Sequence, residues 1–95
     1  MANRKKNARQ KMWEAMRVFG DFSSFDLAQI TGASKENIKW YLWVLKRAGY
    51  IRVVGKDGRY EIYRLIKNTG RQAVVLKSKS EVWDPNNGQI WRDDG

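Results

Sequence analysis

Ninety-five residues support one hydrophobic core and exclude two-domain architectures and the large enzyme folds. Nineteen Lys and Arg against ten Asp and Glu give a net charge of +9, which points to a polyanionic partner, nucleic acid before acidic membrane. The absence of cysteine and histidine excludes disulfides, zinc fingers and thiol or serine–histidine chemistry, while 42% hydrophobic residues suffice for a folded domain.

The charge is unevenly placed. Residues 1–80 carry 18 basic and 6 acidic groups, whereas from Glu81 onward four carboxylates stand against Arg92 alone. Arg4, Lys5, Lys6, Arg9 and Lys11 come first, without an acid among them, and residues 1–8 read as a flexible basic arm. Met12, Ala15, Met16 and Phe19, with Ala8 one turn earlier, repeat at helical spacing and predict a first helix from about Arg9 to Phe19, closed by Gly20. Ser23 is placed to cap a second helix, its hydroxyl accepting from the Asp26 amide while Asp26 reaches back and Phe22 staples onto Leu27. That helix runs to about Thr31 through Leu27, Ala28 and Ile30, and Gly32-Ala33-Ser34 turns the chain into a third helix, Lys35 to Ala48. The third helix has a regular stripe of Ile38, Tyr41, Leu42 and Leu45 and ends at Gly49.

Beyond Gly49 the period becomes extended. Tyr50 to Val54 and Arg59 to Leu65 predict a hairpin turning at Gly55-Lys56-Asp57-Gly58. Asn68-Thr69-Gly70 marks a turn, Ala73 to Leu76 a further short strand, and Lys77-Ser78-Lys79-Ser80 an exposed connector. Val82-Trp83 and Ile90-Trp91 flank Asp84-Pro85-Asn86-Asn87-Gly88, as either a small hairpin or an extended arm that docks its tryptophans. No apolar run approaches the roughly 18 to 20 residues that cross a bilayer, and no signal-peptide segment follows the basic stretch; a cytoplasmic protein is expected, nucleoid-associated in a bacterial host if bound to DNA.

Two packed helices need a small residue where they touch, a permissive turn and an aliphatic residue returned to the core. Ala28, Gly32 and Ile38 occupy those places, with Leu27 and Leu42 beside them. Residues 23–48 thus resemble the helix-turn-helix family, and the following hairpin extends the resemblance to winged-helix proteins through Leu65. The resemblance implies an α+β, mainly α fold with a three-helix core and a two-stranded β wing over residues 9–67; residues 68–95 are read beside it as an extended C-terminal arm, partly ordered or docking on the domain. Met12-Trp13 with Ala15-Met16, Ala48-Gly49-Tyr50, Asn68-Thr69-Gly70 and Asp84-Pro85-Asn86 are also similar to short motifs of small Mu-like phage and prophage winged-helix proteins, implying a viral or prophage origin. Where that group would place basic side chains, positions 40 and 43 carry tryptophan.

At 100° per residue Glu36, Lys39, Trp40, Trp43 and Arg47 fall opposite the apolar stripe of the third helix. Ser34, Lys35, Asn37 and Lys39 near its start are the expected base readers or phosphate anchors, joined by Lys56 and Arg59 on the hairpin and by Arg4, Lys5, Lys6 and Arg9 on the arm. Each has a plainer explanation too: Ser34 caps, and lysines suit any solvated face. Two exposed indoles on one helix make an apolar patch that something should cover. The C-terminal arm through Trp83 or Trp91, a second subunit, or thymine methyls and sugars are the three coverings considered.

The sequence is therefore expected to encode a double-stranded DNA-binding protein, a phage or prophage transcription regulator acting by occupancy and forming a homodimer if its operator is symmetric. The alternative is a protein-interaction module built on Trp40 and Trp43. No catalytic residues, metal ligands, cofactor, membrane partner or small-molecule ligand are expected, since neither metal-ligand spacing nor a phosphate-binding glycine loop is present.

Overall fold

A computed structural model describes residues 7–93. The expected N-terminal arm, with Arg4, Lys5 and Lys6, lies outside the described residues apart from its last two positions. The first helix, α1, spans Ala8–Phe19, and the side chain of Asn7 caps it by accepting from the Gln10 amide at 2.8 Å. Its buried face is Met12, Trp13, Ala15 and Met16. The next helix, α2 (Ser24–Thr31), has the expected capping box: Ser23 Oγ accepts from the Asp26 amide at 3.2 Å and the Asp26 carboxylate accepts from the Ser23 amide at 2.9 Å. Gly32 then turns the chain in the left-handed region, at φ 70°, into α3 (Lys35–Ala48), where Ser34 Oγ accepts from the Asn37 amide at 3.1 Å.

Between α1 and α2 the chain makes a strand that local pattern did not announce. This strand, β1, is only Asp21–Phe22, too short to show alternation, and it is defined by its partner. It lies antiparallel to β3 (Tyr60–Leu65), which also pairs with β2 (Ile51–Asp57), giving the order β1-β3-β2. A fork from Arg64 to Asp21, at 2.7 and 3.1 Å, spans the new strand pair, and its hydrogen bonds hold the Asp21 carboxyl below the usual carboxylate range. The hairpin turn is also displaced from its expected place. Asp57 pairs with Tyr60, so Gly58-Arg59 alone forms the loop, while Gly55 sits in β2 where the register slips by one residue after Val53. A glycine within a strand commonly marks such a bulge, and here it imitates a turn signal.

The C-terminal quarter is a second sheet. Strands β4 (Val75–Ser78), β5 (Glu81–Trp83) and β6 (Ile90–Arg92) form an antiparallel meander in chain order. The expected fold class, a three-helix core with a two-stranded wing and an extended C-terminal arm, is thereby corrected. The chain is an α+β fold of three helices and two separate three-stranded antiparallel sheets. Short strands such as β5 and β6 carry little period of their own, and what orders them is pairing plus burial of alternate side chains. Val82, fully buried, pairs with half-buried Trp91, whereas Trp83 pairs with Ile90 on the exposed face.

One core serves both sheets. Met12, Trp13, Met16, Phe22, Leu27, Ile38, Tyr41, Leu42 and Leu45 from the first half cluster with Tyr50, Ile51, Val74 and Val82 from the second. The four motifs that suggested the phage resemblance meet at this junction. Trp13 Nε1 donates to the Gly70 carbonyl at 2.9 Å, and its ring meets Tyr50 edge-on at 6.1 Å between centroids. The Tyr50 hydroxyl donates to buried Asp84 at 2.8 Å, and Asn86 Nδ2 donates to Thr69 Oγ1 at 3.0 Å. Gly70 is required there, because a Cβ would lie 2.6 Å from Asn86 Oδ1 and the backbone has φ 152°.

Candidate nucleic-acid interface

The third helix divides into two faces. Ile38, Tyr41, Leu42, Val44 and Leu45 are buried, and Lys35, Glu36, Lys39, Trp40, Trp43 and Lys46 are exposed. The exposed face is not sealed by any other described part of the molecule. Lys35, Lys39 and Lys46 border a groove of about 530 Å³ that runs between α2, α3 and the β2–β3 hairpin. Phe25 and Tyr60, 5.7 Å apart between ring centroids, and Trp43 supply its apolar wall. Lys56 and Arg59 extend the cationic surface to the exposed hairpin end. Among the described residues none of these five cations forms an ion pair, whereas Arg47, Arg64 and Arg92 are each bonded to a carboxylate. Unpaired cations on an open face are free to meet phosphates.

A second, shallower cleft of about 770 Å³ lies along the other flank of α3, lined by Arg9, Ser34, Glu36, Asn37, Lys39, Trp40 and Trp43. Arg9 belongs to α1 rather than to a free arm. Its Nε donates to Asn37 Oδ1 at 3.4 Å and its guanidinium stands 5.6 Å from the Tyr41 ring centroid. Asn37 is accordingly half-buried, with its carbonyl oxygen already engaged. Tyr41 is buried beneath this cleft and donates to the Val74 carbonyl at 3.2 Å; burial raises its phenol pKa well above the ordinary value.

The tryptophans separate into two environments. Trp40 and Trp43 are neighbours, 5.5 Å between ring centroids, and remain 42% and 44% exposed. Arg47 lies 4.8 Å from the Trp43 ring and 5.7 Å from that of Trp91, and it is anchored by donating to the Lys79 carbonyl at 2.7 Å and to the Asp93 carboxylate. Trp91 therefore approaches α3 through Arg47, while Trp83 is turned to the opposite face of its strand with Lys77 5.7 Å from its ring. Neither covers the Trp40–Trp43 pair.

Lys46 was missed among the sequence candidates, although its position seven residues after Lys39 and eleven after Lys35 puts all three on one helical face. The aromatic wall of Phe25 and Tyr60 had no such signal, since it joins α2 to β3. Among the described residues no group of three or more acidic, His or Cys side chains is arranged to hold a metal, and no helix is long and apolar enough to cross a membrane. Comparison with protein-family models, curated proteins and solved structures gave no match.

Proposed function

We propose that the chain binds double-stranded DNA and acts by occupying a site, without chemistry of its own. The observation that carries this reading is the groove between α3 and the β2–β3 hairpin, with unpaired Lys35, Lys39 and Lys46 on its border and Lys56 and Arg59 beyond it. A helix face and a hairpin that share one cationic surface suit the two strands of a duplex, the helix in a groove and the hairpin on the adjoining backbone. Net charge of +9 favours encounter with any polyanion, so specificity has to come from the side chains near the start of α3. Ser34 is occupied as a cap and Asn37 is partly engaged by Arg9, which leaves Lys35 and Lys39 as the foremost contacts. A phage or prophage regulator is the role suggested by the sequence resemblance.

The test is the salt dependence of duplex binding. Each phosphate contact contributes about 0.9 to the slope of log K against log salt concentration. Replacing Lys35, Lys39 and Lys46 together by Gln should lower that slope by about 2 to 3 and weaken binding across all sequences. A triple variant with the wild-type slope removes this surface from the interface.

A further inference from the structure

Resting on the nucleic-acid reading of the same helix, we infer that the Trp40–Trp43 cleft is a stacking site for unpaired bases, so that the partner includes a single-stranded or opened segment. Two adjoining indoles are each more than two-fifths exposed, and the side chains around them are Arg9, Asn37, Lys39 and Glu36. Flat aromatic faces bordered by cations match a strand that offers base faces and phosphates together.

The geometry favours base faces over base edges. In a duplex the faces are already stacked on one another and only edges reach a groove, where lysine and asparagine gain more than an indole face does. Unpaired bases expose the surface that tryptophan recognises without regard to sequence. The platform is also held in advance. Arg47 packs on Trp43 and is fastened to the second sheet through the Lys79 carbonyl and Asp93, so ordering Trp43 costs little at binding.

Charge argues against a second copy of this chain as the occupant. A two-fold contact through this patch would bring Arg9 and Lys39 of one chain towards the same residues of the other, between molecules of +9 each. Glu36 is the one acid in the cleft, and its carboxylate has the chemistry to accept from an exocyclic base amine.

The experiment compares fluorescence anisotropy of a labelled 16-nucleotide oligothymidine with that of a labelled 16-base-pair duplex, at near-physiological salt. Wild type, W40A/W43A and W40F/W43F are used, with thermal melts to verify folding. The expected result is a loss of at least about tenfold in single-strand affinity for W40A/W43A, substantial recovery in W40F/W43F, and a smaller loss of duplex affinity, because Trp43 also borders the groove proposed for the duplex. Single-strand binding that is absent, or equal in all three proteins, overturns the inference while leaving the duplex reading intact. Loss of duplex binding alone overturns it too, by placing the indoles against paired DNA. Conversion of a dimer to a monomer by W40A/W43A, seen by sedimentation, would assign the patch to a second copy and also overturn it. Single-strand binding by wild type that depends on the indoles, with no duplex binding at all, would uphold the inference and refute the proposed duplex function.

Discussion

Asn86→Ala tests whether the contact between the 68–72 turn and the 84–88 loop holds the second sheet to the helices. The amide side chain donates to Thr69 Oγ1 at 3.0 Å and to the Gln72 carbonyl at 2.8 Å, and accepts from the Gln72 amide at 3.0 Å. A net hydrogen bond contributes about 0.5–1.5 kcal/mol. Two of the three lie at the surface, where water substitutes in part, so the expected loss is about 1.5–2.5 kcal/mol, equivalent to a fall in Tm of roughly 6–20 °C for a domain of this size. Gly70→Ala supplies the other arm of a double-mutant cycle. Alone it suffers both the φ of 152° and a Cβ placed 2.6 Å from Asn86 Oδ1. With alanine at position 86 the two closest clashes are gone, leaving backbone strain and a 3.1 Å approach to the Cβ of residue 86, so the double variant should be more stable than the sum of the single losses by about 1 kcal/mol or more. Urea unfolding of the four proteins measures the cycle. Additivity within about 0.5 kcal/mol, or an Asn86→Ala loss below that figure, would refute the assignment of this contact as a joint.

Ser23→Ala removes one half of the capping box and should cost about 1 kcal/mol in urea denaturation, with Asp26→Ala giving a comparable, non-additive loss. Trp13→Phe leaves the Gly70 carbonyl without its indole donor and should destabilise the protein by about 1–3 kcal/mol, lowering the thermal midpoint. Burial raises the phenol pKa of Tyr41, and burial with the Asp84 hydrogen bond raises that of Tyr50, so the folded state keeps both neutral after the unfolded chain begins to ionise near pH 10. Stability from these groups should be fully present below about pH 10 and fall as pH rises towards the folded values. Denaturant midpoints followed into alkali should show the fall, and Tyr50→Phe should reduce its steepness.

The helices were legible because their determinants are local. Ser23, Ser34, Gly20, Gly32 and Gly49 lie at the ends they terminate, and the apolar spacing of Met12 to Phe19 and Ile38 to Leu45 lies within single elements. The outward face of α3 followed from the same periodicity, including the exposure of Trp40 and Trp43. The wing reading failed because β1 is two residues long and exists through pairing with β3 some forty positions later. The arm reading failed because a three-residue strand has no period to detect, while Val82 and Trp91 need a partner strand and a shared core to be ordered.

Side-chain identities and chain-local spacing determined the caps, the helix limits, the cationic excess and the solvent face of α3. Tertiary structure alone decided that Arg9 engages Asn37, that Arg47 stands between Trp43 and Trp91, and that Asn68-Thr69-Gly70 and Asp84-Pro85-Asn86 close on each other. The physical reason is range. A cap or a helical stripe is satisfied within a few residues, whereas a two-residue strand, a buried carboxylate and a sandwiched guanidinium gain their free energy only from groups brought near by folding.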